Sequence, residues 1–266
     1  MAIKIFTAGN CSKNTKSSFL KLIKHGLCGQ EIEFVRQVYL SRKQANNLGK
    51  FAKSLGIMLS VHASYYINLN SKESYKVTAS KKRILDACEK GHYLGAENIV
   101  FHPGYYGKKS PEETYKKIKQ EIIEIQHTIQ KNKWRVRLCP EITGKKSQFG
   151  SLFELLKLKK QINCRICVDF CHILARDGTI DYKKVLKKLP QSFHSHFSGV
   201  EYSEKGERKH LLIDEADFEK LAKEIILQKK DATIVCESPQ PFSDALKMKK
   251  IVKDMQQRNF LSFFRS

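Results

Sequence analysis

Short β-prone runs alternate with amphipathic runs along nearly the whole chain, and this alternation constrains the fold more than any other feature. The β-prone runs are apolar and rich in branched side chains, whereas the longer runs between them repeat apolar residues at helical spacing. The predicted strands are residues 3–7, 32–35, 57–61, 98–101, 136–138, 163–169, 193–197 and 233–236. The predicted helices are residues 17–25, 41–55, 72–94, 111–131, 151–159, 182–189, 215–227 and 243–257.

Eight β→α units in series, with no strand-rich or helix-rich block, predict an α/β fold of the closed parallel (β/α)8 type, a TIM barrel. No low-complexity linker, fixed-period repeat or change of composition divides the chain. We therefore expect residues 1–266 to form a single domain. In this architecture the C-terminal ends of the strands open on one face, and that face carries the active site.

Histidines and acids follow or end six of the predicted strands. A lone histidine at a strand end is more often a hydrogen-bonded core group than a ligand. Eight such groups on one rim are hard to assign to core packing. They are His62, His102, Glu141, Asp169, His172, His196, His210 and Glu237.

The stretch Cys167-Val168-Asp169-Phe170-Cys171-His172 brings an aspartate and a histidine to the rim at the end of the sixth predicted strand. A carboxylate and an imidazole at this spacing can bind one divalent metal or two neighbouring ones. The alternative is an aspartate that caps the following turn and a histidine that packs. A thiolate site is a further alternative, but alternation along a strand places Cys164 and Cys167 on opposite faces.

The mixture of imidazole and carboxylate side chains suits Zn²⁺, with Mn²⁺ or Fe²⁺ as alternatives. Because a catalytic zinc takes roughly three to four protein ligands, this set is too large for one ion. A shared carboxylate could bridge two ions about 3.5–4 Å apart, the spacing of two-metal phosphodiesterases.

The formal net charge of +22, mostly from lysine, favours a polyanionic partner. The alternative is that solvated lysines on helix backs, as in Lys116-Lys117-Ile118-Lys119, only confer solubility. The eight cysteines lie mostly in or beside apolar runs, a pattern that suits reduced thiols in the cytoplasm. The first strand-like run begins at Ile3, which leaves no room for a signal peptide, and no apolar run is long enough to span a membrane. We expect a cytoplasmic monomer.

Five motifs resemble those of the endonuclease IV family of apurinic/apyrimidinic endonucleases, in the same order and over nearly the whole chain. They are Val61-His62-Ala63-Ser64-Tyr65-Tyr66-Ile67-Asn68-Leu69, Phe101-His102-Pro103-Gly104, Pro140-Glu141-Ile142-Thr143-Gly144, Val168-Asp169-Phe170-Cys171-His172 and Cys236-Glu237-Ser238-Pro239. That family is a (β/α)8 barrel with a trinuclear zinc centre, and it cuts double-stranded DNA on the 5′ side of abasic sites. The resemblance thus implies a zinc-dependent hydrolase of base excision repair.

The resemblance also implies the ligands of each of about three zinc ions. His62, His102 and Glu141 would hold the first, and the catalytic Glu141 would bridge to the second. The second would be completed by Asp169, His196 and Glu237. His172 and His210 would hold the third.

One loop departs from the family, which presents Asp-x-His after the seventh strand. Here the sequence is Gly206-Glu207-Arg208-Lys209-His210, so the nearest acid is three residues before the histidine. Either Glu207 reaches the third metal through a bulge or water takes its place. His194 lies on the same strand face as His196, but the Phe-Ser-Gly after His196 favours His196 as the ligand.

For contact with abasic-site DNA, Tyr65 matches a family position near the lesion, and Arg36 is a looser match. Other basic and tyrosine residues of the rim loops, including Tyr106, are further candidates for holding phosphates or filling the gap. Two other functions remain open at this point: a divalent-metal sugar isomerase or epimerase of the same barrel type, and a non-catalytic binder of damaged DNA.

Overall fold

The computed structural model describes residues 2–263, and within this range the chain forms twelve strands and nine helices. The strands are β1 (Ile3–Ala8), β2 (Gly29–Glu33), β3 (Met58–His62), β4 (Asn98–Phe101), β5 (Gly104–Tyr105), β6 (Arg137–Pro140), β7 (Gln148–Phe149), β8 (Cys167–Asp169), β9 (Ser192–Phe197), β10 (Gly199–Ser203), β11 (Gly206–Leu211) and β12 (Asp231–Cys236). The helices are α1 (Thr15–Lys24), α2 (Arg42–Ser54), α3 (Ser74–Leu94), α4 (Pro111–Lys131), α5 (Leu152–Ile162), α6 (Phe170–Asp177), α7 (Tyr182–Lys188), α8 (Glu215–Leu227) and α9 (Pro241–Phe263).

Eight of these strands form one sheet in the order β6-β4-β3-β2-β1-β12-β9-β8, and every neighbouring pair is parallel. The two outer strands meet as well. Glu141 forms a parallel bridge with Cys167, and the Arg165 N–H donates to the Leu138 carbonyl at 3.0 Å. The sheet is therefore closed, and the prediction of a single (β/α)8 barrel is confirmed.

Local signals explain where the helices begin and end. Ser41, Ser110 and Ser151 each cap a helix through a reciprocal capping box, and Pro111 occupies the first turn of α4. Helix α3 ends at Gly95, which has a φ of 72° that most side chains would disfavour. In the described part of the chain, no helix is both long enough and apolar enough to span a membrane.

The main core lies between the sheet and the surrounding helices. Four isoleucines of α4 are buried there, as their helical spacing predicts: Ile118, Ile122, Ile125 and Ile129. A separate small cluster of Val100, Cys139 and Cys167 lies inside the barrel. Because the cluster is small, the rest of the barrel interior has room for polar side chains.

Three strand details differ from the sequence-based prediction, which also lacks the short helix α6 and the small sheet of β5 and β7. Strand β8 is shorter than residues 163–169, because Asn163 ends α5 in a left-handed conformation with φ 51°. Strand β2 begins at Gly29 rather than at residue 32, because the polar residues Gln30 and Glu31 also pair with the neighbouring strands β1 and β3. The hairpin of β10 and β11 was expected only as a loop, because its polar sequence lacks the apolar alternation of a half-buried strand.

Candidate metal centre

The first group of candidate ligands joins the ends of β3, β4 and β6. The Nε2 atoms of His62 and His102 each lie 3.0 Å from Oε2 of Glu141. Nδ1 of His62 donates to the carbonyl oxygen of Ala63 at 2.7 Å, so neutral His62 directs an unprotonated Nε2 at the carboxylate. Two acceptors this close require a proton or a cation between them. The three side chains form a group that could hold one metal ion.

The second group uses the other oxygen of Glu141. Oε1 lies 3.0 Å from Nδ1 of His196, and Oε2 of Glu237 lies 3.2 Å from the same nitrogen. Asp169 completes a group of four side chains that could hold a second ion. Glu141 is 1% exposed, and its two oxygens face different ligand groups, as a bridging carboxylate requires.

Asp169 serves both roles that its sequence position allows. Its Oδ1 accepts the backbone N–H of His172 at 2.7 Å and so caps α6. Its Oδ2 is buried and has no hydrogen-bond partner among the described residues. Nδ1 of His172 lies 3.3 Å from this oxygen but donates no hydrogen bond to it. A buried carboxylate oxygen that accepts no hydrogen bond fits a cation, because leaving it without one is costly.

The third group joins α6 to the hairpin of β10 and β11. Oε2 of Glu207 lies 3.2 Å from Nε2 of His172, and Oε1 lies 3.4 Å from Nε2 of His210. In the register of the hairpin, Glu201 of β10 pairs with Lys209 of β11, and Tyr202 pairs with Glu207. Arg208 therefore has no partner on β10 and is the extra residue of a β-bulge. The bulge turns Glu207 and His210 to the same side, although they are three residues apart.

Gly144 allows the hairpin to approach the barrel. A Cβ atom at this position would lie 2.7 Å from Cβ of Glu207 and 2.8 Å from Cδ2 of His172. The Glu207 N–H donates to the Gly144 carbonyl at 3.1 Å, which fixes the hairpin against the loop after β6. The third group therefore depends on a glycine that contributes no ligand atom.

Two histidines of the third group are fixed by their second ring nitrogen. Nδ1 of His172 donates to the Ile142 carbonyl at 2.7 Å, and Nδ1 of His210 lies 2.9 Å from Oγ of Ser198. Such contacts are typical of metal-binding histidines, because they set the tautomer and leave the other nitrogen free for the metal.

The titration behaviour of the site also fits a cation. Burial raises the pKa of Glu141, but the charges of His102 and His196 outweigh burial and bring this pKa well below its usual value. Burial lowers the pKa of His210, but the hydrogen bond to Glu207 raises it to about 9. Glu141 is thus held ionised, and His210 attracts a proton where a metal ion would otherwise provide the positive charge. Residues and chemistry fit divalent metal ions such as Zn²⁺.

A cavity of about 480 Å³ lies above these ligands, and Tyr65 and Lys145 are part of its wall. The Tyr65 side chain is 54% exposed, and its ring centroid lies 5.6 Å from that of His62. Arg36 is exposed in the neighbouring loop, where its carbonyl accepts a hydrogen bond from Ser64. Tyr106 is not available as a rim contact, because its hydroxyl group donates to the carboxylate of Glu154.

Two acids on β2, the buried Glu31 and the partly buried Glu33, are not among the residues predicted from the sequence. Glu31 and Glu33 alternate with Gln30 and Ile32 and point into the barrel, where Glu31 contacts His194 and His196. Burial raises the pKa of Glu33 to about 8. The available signal was two acids spaced two residues apart next to an apolar run, which puts both on one face of a strand.

A family model described as xylose isomerase-like TIM barrel matches residues 19–255. The chain belongs to this family. Within the xylose isomerase-like TIM barrels, it is 38% identical over 251 residues to an uncharacterized protein of Methanocaldococcus jannaschii, covering 88% of this chain and 90% of that one. It is 30% identical over 138 residues to an apurinic-apyrimidinic endonuclease of Caenorhabditis elegans, covering 50% of this chain but only 34% of that protein.

Among solved structures, the chain resembles endonuclease IV from Thermus thermophilus with a TM-score of 0.71 at 20% identity, covering 97% of this chain and 100% of that one. It also resembles a D-tagatose 3-epimerase-like protein with a TM-score of 0.75 at 21% identity, covering 96% and 97%. At these identities the structural likeness shows the fold alone. Together with the family match and the endonuclease-named relatives, it confirms the resemblance to the endonuclease IV family.

Proposed function

We propose that this protein is a zinc-dependent DNA repair endonuclease that cleaves the phosphodiester bond 5′ to an abasic site. The products are a 3′-hydroxyl group and a 5′-deoxyribose phosphate. One observation carries the proposal: three ligand groups converge on one rim, and Glu141 belongs to two of them. In this proposal His62, His102 and Glu141 hold the first ion, Glu141, Asp169, His196 and Glu237 the second, and His172, Glu207 and His210 the third.

Bound zinc ions would supply an activated water molecule and would stabilise the charge that develops on the leaving oxygen. The protein's own contribution is geometry. Glu141 fixes the spacing of the first two groups because one carboxylate serves both of them. The bulged hairpin brings Glu207 and His210 over His172 and so closes the site on one side.

The rim supports DNA as the substrate. Tyr65, which lines the cavity, is 54% exposed, and the next residue, Tyr66, is 62% exposed. An exposed aromatic ring can fill the gap left by a missing base. Lys145 also lines the cavity, where a cation can hold a backbone phosphate. Sugar epimerisation is less well supported, because a neutral sugar needs neither these exposed rings nor a net charge of +22.

The test is cleavage of a duplex that carries one tetrahydrofuran abasic analogue, in buffer without added magnesium. This analogue lacks the aldehyde that a β-elimination lyase requires, so only hydrolysis can cut it. We expect a single nick with a 3′-hydroxyl end and zinc bound to the purified protein, whereas the matched intact duplex stays uncut.

Dependence on added magnesium with no bound zinc would contradict the metal assignment. Tight binding of the abasic duplex without cleavage would instead indicate a damage-binding protein. Turnover of a keto-sugar by the zinc-loaded protein, with no cleavage of DNA, would indicate an epimerase.

A further inference from the structure

Glu31 lies inside the barrel, one layer below the candidate metal centre. The residue is 0% exposed, although no cation of the protein, lysine or arginine, contacts its carboxylate in the described structure. Its two oxygens are divided between two histidines. Oε1 lies 2.9 Å from Nε2 of His196, and Oε2 accepts a hydrogen bond from Nε2 of His194 at 3.2 Å.

His196 connects this buried carboxylate to the second ligand group. Its Nδ1 faces Glu141 and Glu237, and its Nε2 faces Glu31. If Nδ1 binds a metal ion, Nε2 carries the proton of the neutral ring, on the side of the ring that faces Glu31. The atoms are in ion-pair contact without the alignment of a full hydrogen bond, so the effect of Glu31 on the ring is chiefly electrostatic.

The second ring nitrogens of three other histidines in the site have different partners. His62 donates to a backbone carbonyl, and His210 contacts a serine hydroxyl group. His172 donates to the Ile142 carbonyl, and the same nitrogen lies 3.3 Å from Oδ2 of Asp169, which belongs to the second ligand group. Of these four, His196 alone has its second nitrogen against a carboxylate from outside the three ligand groups. A carboxylate in this position orients the imidazole and makes it a stronger electron donor to a metal ion.

His194 explains how the charge is kept in place. It is 4% exposed, and it lies two residues before His196 on β9, so both rings point into the barrel. Its hydrogen bond to Oε2 leaves Oε1 directed at His196. The alternating pattern on β2 and on β9 therefore builds a chain of contacts from His194 through Glu31 to His196.

We propose that Glu31 is a positioning residue of the metal centre, held by His194, which orients His196 and strengthens its binding to the second ion. This inference rests on the proposed metal centre. Removing the charge of Glu31 should weaken the second ion alone, by about 10–100-fold, which is usual for the loss of such a contact. Glu31 is in ion-pair contact with His194 and His196, which belong to neither the first nor the third group, so the binding of those two ions should not change.

The test compares Glu31→Gln with the parent and with Glu121→Gln, a matched control. Glu121 is a buried glutamate of α4 that pairs with Lys81 and Lys117, away from the barrel interior. Zinc affinity is measured for each ion by competition with a chromophoric chelator. The absorption spectrum of the cobalt-substituted protein reports ligand geometry independently of activity, and circular dichroism reports folding.

We expect one of three ions to be bound about 10–100-fold more weakly by Glu31→Gln, with a changed cobalt spectrum, and no change in Glu121→Gln. His194→Gln should weaken the same ion less, and it decides the question if Glu31→Gln does not fold. Unchanged affinities and spectrum, or equal weakening of all three ions, would overturn the role of Glu31 while leaving the metal centre intact. A parent protein without zinc would instead refute the proposed function.

Discussion

At the scale of single residues, the site depends on which carboxylates serve two ligand groups and which serve one. Glu141 is buried, and its oxygens face the first and the second group. Glu207 lies at the edge, with 16% of its side chain exposed, and faces only the third group. The two glutamates should therefore tolerate the same substitution very differently.

Glu141→Gln keeps the side-chain volume but removes the charge that holds two ions together. We expect abasic-site cleavage to fall by several orders of magnitude and at least one zinc ion to be lost. The measurement is single-turnover cleavage beside metal analysis of the same preparation. A folded Glu141→Gln protein with full metal content and normal cleavage would refute the shared-carboxylate centre.

The same change at Glu207 is the matched comparison, and it should reduce cleavage by only about 10–100-fold. Circular dichroism of both variants separates an effect on the site from an effect on folding. If Glu207→Gln is as damaging as Glu141→Gln, the ranking is wrong and the third ion is as important as the second.

The strand-end ligands could be predicted because the position of a strand end follows from the apolar pattern before it. His62 and His102 directly follow such runs, and the structure places both beside Glu141. Glu31 could not be found in this way. A carboxylate inside a barrel opposes the rule that places apolar side chains there, and only the three-dimensional pairing with two histidines accounts for it.

At the scale of elements, the bulge in the hairpin of β10 and β11 decides whether Glu207 and His210 face the same side. Regular alternation would put Glu207 and His210 on opposite faces, because they are separated by an odd number of positions. The extra residue, Arg208, restores a common face. The spacing of Glu207 and His210 in the sequence allows for a bulge but does not locate it, because the position of a bulge depends on the partner strand.

Deleting Arg208 should therefore preserve the third ligand group. The glutamate and the histidine would then be two residues apart on a regular strand and would still share a face. We expect bound zinc and cleavage to stay within a few-fold of the parent, measured by metal analysis and by the abasic-site assay.

The contrasting variant carries one glycine inserted after Arg208. Glu207 and His210 would then be too far apart to face the same ion, and we expect loss of one zinc ion. A deletion that loses this ion, or an insertion that keeps it, would show that the bulge is not what aligns the group.

At the scale of the whole molecule, the charges are separated by position. The candidate site gathers buried carboxylates, whereas the lysines that give the net charge of +22 lie largely outside the barrel. The sequence predicts the size of the net charge but not which face of the barrel carries it, because lysines occur on the exposed sides of helices all round the barrel. The exposed Lys145 on the cavity wall is one basic group that the structure places beside the site.

Binding to abasic DNA should weaken linearly as the logarithm of the salt concentration rises, because phosphate contacts release counterions. Lys145→Ala should reduce the slope by about one unit. Lys131→Ala, at the far end of α4, should leave the slope unchanged. Fluorescence anisotropy across a salt series measures all three proteins, and a flat response in the parent would mean that the charge does not serve DNA binding.

Strand β12 lies between β1 and β9, and the residue after it is Glu237. Strand β12 is the last barrel strand to be synthesised, yet it pairs with β1, which is the first. Until it docks, the barrel is open, and the four-residue group around Glu141 lacks one of its members. A growing chain on the ribosome therefore lacks a complete second ligand group, and topology alone delays assembly of the candidate metal centre until synthesis has passed the final strand.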